Sequence, residues 1–314
     1  MPVLEAPGFF RIMFLYMKYF GATAVAGMLM MSLGCNFSSL QSSGRQTQDQ
    51  PFREYWFQGE AELSTYSLEQ ARYGEMRSGE AVFIFVTEDF SKSKQVKLDR
   101  PDQAGKDKIP VMKWNAVRRF TTGIYDYSVM QSVFTPLNDG QYPHTLKATC
   151  TVQDWCGQTF TQYNRRNNGY RFRQFSYFEE EGDLDQQLDG EWLEDELWNR
   201  IRLQPNHFPT GTVSLVPGTI FGRFRHKMPV ATPAVIRMEQ SSEGRVLYVE
   251  YTQIKRRLVI RYEPVFPFRI LEWEETDGDD LVTKGKLQKT IKSPYWQQNG
   301  NQFNSLRDTL RLMY

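Results

Sequence analysis

The side chains that could carry acid–base or nucleophilic chemistry are scattered along the chain without a known catalytic spacing. The 314 residues include three histidines, His144, His207 and His226, and no two of them lie close in sequence. The spacings His-Glu-x-x-His, Gly-x-Ser-x-Gly and Gly-x-x-x-x-Gly-Lys-Ser/Thr, which mark zinc sites, nucleophilic serines and phosphate loops, do not occur. We therefore predict no catalytic residue, no metal site and no cofactor, and we interpret each histidine as a surface or structural residue.

Carboxylates are concentrated in residues 179–191. Clustered carboxylates can hold calcium, but this segment lacks the spacing of the twelve-residue calcium loop, because Leu188 stands where glycine would be required. We interpret the segment as a solvated loop that leads into a helix, and Asp277-Gly278-Asp279-Asp280 as a turn. Paired carboxylates for hydrolysis of a glycan or lipid would be brought together only by the fold, so an envelope hydrolase is the alternative function.

Cys35 follows a segment typical of secretory signals. Lys18 precedes an apolar run over residues 19–33, and the small residue Gly34 stands directly before Cys35. The run is short for a bilayer span, which needs about 20 apolar residues. Because the segment resembles a lipoprotein signal, we predict that residues 1–35 form a signal segment, with the true start at Met17, and that Cys35 is lipidated. The alternative is an uncleaved helix over residues 9–33.

The other two cysteines, Cys150 and Cys156, then form an even pair. Exported proteins mature in an oxidising compartment, so the sequence predicts a disulfide between them. Two free buried thiols are the alternative. Metal binding and a catalytic thiol are weaker interpretations, because the spacing is not Cys-x-x-Cys and the sequence shows no set of further ligands around the pair.

The elements that would position these residues are mostly strands. A flexible Ser- and Gln-rich tether over residues 36–50 is expected to precede one β-rich domain, residues 51–314. The pattern predicts a mainly β protein, as a curved antiparallel sheet, open barrel or sandwich. The predicted strands are 54–73, 81–86, 111–120, 125–134, 146–152, 159–163, 170–178, 212–216, 234–239, 246–251, 258–262, 268–274 and 285–291.

Two helices are predicted among these strands. Leu193, Leu197 and Ile201 recur at four-residue spacing, which indicates one amphipathic helix over about residues 190–203, capped by Asp189. A short helix is expected near residues 303–312. Within the strand at 170–178 the aromatic residues change phase between Phe172 and Phe175, which predicts a bulge.

Composition limits the classes of partner. Hydrophobic residues make up 40% and charged residues 24% of the chain, and the formal net charge is +1. This balance is typical of a folded globular protein. A near-neutral chain lacks the basic surface that a general nucleic-acid binder needs, so we expect no nucleic-acid partner.

Residues 69–75, 79–90 and 95–97 (EQARYGE, GEAVFIFVTEDF and QVK) resemble a family of Bacteroidota lipoproteins of unknown function, similar in style to DUF3108. The family implies no established activity. Some members are labelled septum-formation inhibitor Maf, which implies a nucleotide pyrophosphatase. The Ser-x-Ser-x-Arg-Arg-type signature of Maf is absent here, and the nearest stretch, Ser42-Ser43-Gly44-Arg45, lies in the tether. The motifs therefore do not support the label.

In the bacterial groups that this chain resembles, an acidic cluster after the lipidated cysteine is the signal for surface display. No such cluster follows Cys35. We therefore expect a lipid-anchored protein of the outer membrane that faces the periplasm. Its expected role is non-enzymatic: binding of an apolar or amphiphilic ligand, or assembly with an envelope protein complex.

Overall fold

The computed structural model describes residues 50–137, 143–207, 209–242, 244–278 and 280–313. The predictions for residues 1–49, which include the signal segment, Cys35 and nearly all of the tether, lie outside the described residues. Within these ranges no helix combines the length and the apolar composition needed to span a bilayer.

The described chain forms one sheet of fifteen strands, in the spatial order β8-β7-β6-β5-β4-β3-β2-β1-β15-β14-β13-β12-β11-β10-β9. Every pairing is antiparallel except that of β9 with β10. The predicted fold class, a mainly β protein with a large antiparallel sheet and few helices, is confirmed. The strands are β1 Ala61–Arg72, β2 Glu75–Ser91, β3 Lys108–Thr122, β4 Tyr125–Pro136, β5 Lys147–Gln153, β6 Gln158–Arg166, β7 Gly169–Phe175, β8 Leu184–Leu188, β9 Trp192–Leu193, β10 Gly211–Val216, β11 Thr232–Ser241, β12 Gly244–Tyr251, β13 Arg257–Tyr262, β14 Ile270–Thr276 and β15 Val282–Ser293.

The sheet curls until its two edges approach each other. Its edge strands, β8 and β9, are separated in the chain only by residues 189–191. Four residue steps from Leu188 to Trp192 span at most about 14 Å. The edges are therefore close, although β8 and β9 are not hydrogen-bonded neighbours.

Four short helices accompany the sheet: α1 Gln50–Trp56, α2 Glu196–Leu203, α3 Thr219–Phe224 and α4 Leu306–Thr309. Six of the eight residues of α2 are buried, which places this helix inside the curled sheet. Trp198 of α2 stacks on Trp114 at 4.9 Å and meets Trp273 edge-on at 5.8 Å. The interior is thus filled by α2, α3 and aromatic side chains. Leu310, after α4, packs on the outer face of β1 and β2.

Because consecutive strands are antiparallel, their connections alternate between two ends of the sheet. One end, which we call the α1 end, holds α1 and the loops 92–107 and 263–269. The other end, which we call the α3 end, holds the turns 73–74, 123–124, 154–157, 252–256 and 277–281, with the segments 176–183 and 217–231.

The structure corrects several predicted elements. The strand predicted from residue 54 begins at Ala61, because residues 50–56 form α1, whose Phe52 and Trp56 pack in the core. The helix predicted at 190–203 begins at Glu196, because Trp192 and Leu193 pair with β10, and Asp189 therefore does not cap it. Part of the acidic segment, predicted as a loop, forms β8.

The bulge predicted between Phe172 and Phe175 is wrong. The pairing of β7 with β6 and with β8 has no register shift. Tyr170, Phe172 and Gln174 face the core, and Phe175 faces outward, where it stacks on Phe160. The change of aromatic phase reflects a ring on the outer face of a regular strand.

Candidate functional site

The predicted disulfide between Cys150 and Cys156 is wrong: both thiols are free. Cys150 is fully buried in β5, and Cys156 is exposed in the β5–β6 turn. Three more residues of strand follow Cys150 before that turn, a span of about 10 Å, whereas bridged cysteines keep their Cα atoms within about 7 Å. Burial raises the pKa of Cys150 to about 12, which keeps this thiol protonated.

Carboxylates do meet inside the sheet, as partners of arginines. Arg256 donates from Nε and Nη2 to Glu194 at 2.9 and 2.5 Å, and from Nη1 to Asp277. Arg118 donates from Nη2 to Glu275 at 2.5 Å. A buried charge is tolerated where it is paired and hydrogen-bonded, so these contacts are the structural requirement for placing such groups in the core.

The space beside these carboxylates is small. A cavity of about 40 Å³ adjoins Glu275 and Asp277, which is room for a few water molecules. A hydrolase needs two carboxyl groups on either side of a bound glycan. Among the described residues, Glu275 and Asp277 instead share the guanidinium of Arg256, and this arrangement does not favour the hydrolase alternative.

Asp195 is the buried carboxyl with the most unusual surroundings. It directly precedes α2, yet it accepts the backbone N–H of Thr219, the first residue of α3, at 3.1 Å. Burial and the neighbouring charge of Glu194 raise the pKa of Asp195 to about 7. Gly218, which precedes Thr219, leaves room for Glu194, because a Cβ at position 218 would lie 2.5 Å from Oε1 of Glu194. Asp195 therefore links the start of α2 to the start of α3 through this hydrogen bond, and its burial disfavours ionisation of the carboxyl.

A row of exposed apolar side chains lies at the α3 end. The hairpin turns β1–β2, β3–β4, β5–β6 and β7–β8 carry Tyr73, Ile124, Trp155 and Tyr177, which are 59%, 85%, 68% and 61% exposed. Strands lie about 4.8 Å apart, so alternate connections are spaced by about 10 Å and the row is about 30 Å long. We call these four residues the apolar rim. In the other half of the sheet at this end, the turns 252–256 and 277–281 expose polar residues such as Gln253, Lys255 and Asp280, whereas segment 217–231 exposes Met228 and Val230.

The rim lies among acidic residues. The segments 73–76, 123–126, 154–157 and 176–183 contain seven carboxylates and no lysine or arginine. These carboxylates are Glu75, Asp126, Asp154, Glu179, Glu180, Glu181 and Asp183. Two of the seven are ion-paired, Glu75 with Arg77 and Glu181 with Arg223, so the negative charge of these turns comes mainly from the other five carboxylates.

One rim residue holds a strained backbone. Tyr73 and Gly74 form a two-residue hairpin turn with φ of 56° and 74°, a turn that favours Asn-Gly. A bulky residue at positive φ is an outlier. Contacts hold it in place: the hydroxyl of Tyr73 lies 2.7 Å from that of Tyr127, and Arg72 lies 4.2 Å from the ring centre of Tyr73. Strain of this kind is found most often at functional sites.

A cleft of about 370 Å³ adjoins the rim, between segment 174–181 and the end of α3; we call it the α3 cleft. At its base Arg223 donates from Nη2 to Glu181 at 3.0 Å, and Ser176 donates its hydroxyl to the same carboxylate at 2.7 Å. His226 Nδ1 lies 2.5 Å from Glu181. Burial alone would raise the pKa of Glu181, but these hydrogen bonds lower it to about 2, so the carboxylate is ionised.

The order of these groups differs from that of a hydrolytic triad. In such a triad the histidine contacts the serine and the acid contacts the histidine. Here Glu181 lies between Ser176 and His226. The serine hydroxyl therefore donates its hydrogen bond to the carboxylate and not to the imidazole. The geometry favours a binding site over a nucleophilic one.

The three histidines occupy separate places. His144 packs edge-on against Trp192 at 4.6 Å, and burial with the charges of Arg165 and Arg200 lowers its pKa to about 4. His207 is exposed in the loop after α2. His226 belongs to the α3 cleft, where it adopts φ of 52° just after α3. Sequence spacing did not single it out, since its partner Glu181 is 45 residues away. No cluster of three metal-ligating side chains occurs in the described parts of the chain.

Comparison with known proteins gives few matches. No family model matches the chain, and no curated protein matches it. Among solved structures, the chain is similar to a beta-barrel-like protein of the domain of unknown function DUF1849 from Brucella abortus, at 11% sequence identity and a TM-score of 0.44. The match covers 74% of this chain and 97% of that protein.

Proposed function

We propose that this chain is a lipid-anchored, non-enzymatic protein of the bacterial envelope, attached through Cys35 to the outer membrane and facing the periplasm, which docks on another envelope protein through the apolar rim. The observation that carries the proposal is the rim itself. Four hairpin turns at one end each expose a large apolar side chain, and exposed apolar residues that are concentrated at one place on a surface can mark an interaction site.

The filled interior supports docking over carriage of a ligand inside the sheet. Trp114, Trp198 and Trp273 occupy the space that an enclosed lipid would need. Function is therefore expected at the surface of the α3 end.

The acidic residues around the rim indicate the chemistry of the partner. Carboxylates such as Asp126, Glu179 and Glu180 would repel anionic lipid headgroups. A protein face with apolar pockets and a basic border would complement both features, since interfaces pair opposite potentials. The described chain begins with α1, at the end of the sheet opposite the rim.

The anchor is tested by intact-mass analysis of protein purified from native envelopes. We expect a chain that begins at Cys35 and carries acyl groups, and we expect a Cys35→Ala variant to keep residues 17–34 and to carry no acyl group. Native protein that retains residues 17–34 with a bare thiol at position 35 would refute the anchor.

Docking is tested by photo-crosslinking in intact cells. The chain offers matched positions, since Trp155 of the rim is 68% exposed and Trp296, which follows the α1-end terminus of β15, is 44% exposed. A photoreactive amino acid at position 155 should give a discrete crosslinked protein, and one at position 296 should not. Ile124→Ser should reduce the crosslink formed from position 155. Equal crosslinking from both ends, or none from position 155, would contradict the proposal.

A further inference from the structure

We infer that the α3 cleft binds a zwitterionic amphiphile, a molecule with an ammonium group, an anionic group and an apolar portion. This inference does not depend on docking through the rim. The cleft has a volume of about 370 Å³, within the range of small-molecule sites. It is open to solvent and lies outside the filled core.

The polar groups at the base of the cleft are hydrogen-bonded to one another. Glu181 is held by Arg223, Ser176 and His226 through hydrogen bonds. Its charge is therefore matched by the guanidinium of Arg223, which is itself buried. Recognition of a charged ligand must come from the other polar groups that line the cleft.

Those other groups include a hydrogen-bond donor without a partner, an exposed cation and exposed carboxylates. Gln174 is 4% exposed, and its Oε1 accepts from Arg223, but its Nε2 has no hydrogen-bond partner among the described residues. Lys227 is exposed and forms no salt bridge within the described chain. Glu179 and Glu180 also line the cleft and are exposed. A buried donor without a partner costs about 1–3 kcal/mol, so a ligand acceptor that reaches Gln174 would be stabilised.

Two apolar side chains, Phe178 and Met228, line the cleft beside its polar groups. Phe178 is fixed by its edge-on contact with His226, at 4.7 Å between ring centres, and Met228 lines the same cleft. A second cavity of about 30 Å³, lined in part by Tyr163, Phe172 and Phe221, shares Gln174 and Met228 with the cleft. Methionine is flexible, so Met228 can move to admit an apolar chain between the two spaces.

Together these groups define the class of ligand. An anionic group of the ligand would bind Lys227 and Gln174, an ammonium group would bind Glu179 or Glu180, and an apolar portion would lie against Phe178 and Met228. Charge-assisted hydrogen bonds of this kind are the stronger ones. A phosphoethanolamine group has this chemistry, whether it is the headgroup of a lipid or a free molecule.

The experiment measures adduct formation by native mass spectrometry on the full mature chain, purified in a nonionic detergent. The probes are dihexanoyl phosphatidylethanolamine, dihexanoyl phosphatidylglycerol and free phosphoethanolamine. We expect the phosphatidylethanolamine to bind with the highest occupancy. Lys227→Met should weaken it about tenfold, because one charge-assisted contact is lost. The control Lys289→Met, at an exposed position of β15, should leave it unchanged.

Met228→Ser separates the two sources of the phosphoethanolamine group. It should weaken the lipid and leave the free headgroup unaffected. Equal binding of the free headgroup and the lipid would overturn the apolar part of the inference. Preference for phosphatidylglycerol, absence of any adduct, or adducts insensitive to Lys227→Met would overturn the assignment as a whole. The rim variant Ile124→Ser should not change binding, so failure here is distinguishable from failure of the docking proposal.

Discussion

Replacing Asp195 with asparagine is expected to stabilise the protein at neutral and alkaline pH. Asp195 is 4% exposed, lies beside Glu194 and accepts a hydrogen bond from the backbone N–H of Thr219. Asparagine has nearly the same shape, and its amide oxygen can accept the same bond. The substitution removes a charge that the interior disfavours without opening a cavity.

The size and the sign follow from the pKa of Asp195, which burial raises from 3.8 to about 7. The folded state binds this proton more tightly than the unfolded state does. Its contribution to stability is therefore fully present below pH about 4 and is lost as the pH rises towards 7. A shift of about three units corresponds to about 4 kcal/mol, which the wild type should lose over this interval and Asp195→Asn should keep.

Urea unfolding followed by tryptophan fluorescence measures the effect, because Trp114, Trp198 and Trp273 are buried and report on the core. The wild type and Asp195→Asn should differ little at pH 4 and by several kcal/mol at pH 8. Glu69→Gln, at an exposed position of β1, should follow the wild-type pH dependence. If Asp195→Asn also follows it, Asp195 is not the group that titrates and the reasoning fails.

Three further predictions concern packing and charge. Arg256→Met should destabilise the fold by about 3–5 kcal/mol in urea unfolding, because Glu194 and Asp277 lose their cation; the surface variant Arg261→Met should cost at most about 1 kcal/mol. Gly285→Ala should lower the free energy of unfolding by about 1–3 kcal/mol, because the added Cβ would lie 2.1 Å from the Trp273 ring. Gly222→Ala lies inside α3, with its nearest neighbour at 3.4 Å, and should be neutral or stabilising in the same assay. At pH 6, Glu181→Gln should be less stable than the wild type. The difference should shrink as the pH falls from about 4.5 to 2, because Glu181 contributes stability only while its carboxylate is ionised. A difference that does not change with pH would contradict this assignment.

Most strands were predictable from the sequence because each has its own signal. The strand predicted at 111–120 corresponds to Lys108–Thr122, and that at 246–251 to Gly244–Tyr251. Alternation and turn residues act locally, so a single sequence carries them. Short helices do not have this advantage: α3 has six residues and includes Gly222, too few for a helical period to appear.

The candidate sites could not be predicted from the sequence, for a different reason. The α3 cleft combines Gln174, Glu181 and Arg223 from three separate elements. In sequence, Arg223 and His226 belong to a basic cluster, and Glu181 belongs to an acidic one. Arg223 and Glu181 form an ion pair only because α3 and the β7–β8 connection lie at the same end of the sheet. The rim is similar, since its members are one residue in each of four distant turns.

In the described sheet, all but one pair of neighbouring strands are also consecutive in the chain. Of the fourteen pairings, thirteen join strands that are consecutive in the chain, and only β1 with β15 joins distant segments, with Ala61 opposite Ser293. A circularly permuted chain that starts at residue 190 and links residue 313 to residue 50 would pair every strand with its sequence neighbour. Its relative contact order would be lower while the buried surface stayed the same. Such a permutant should therefore fold faster than the natural chain at similar stability.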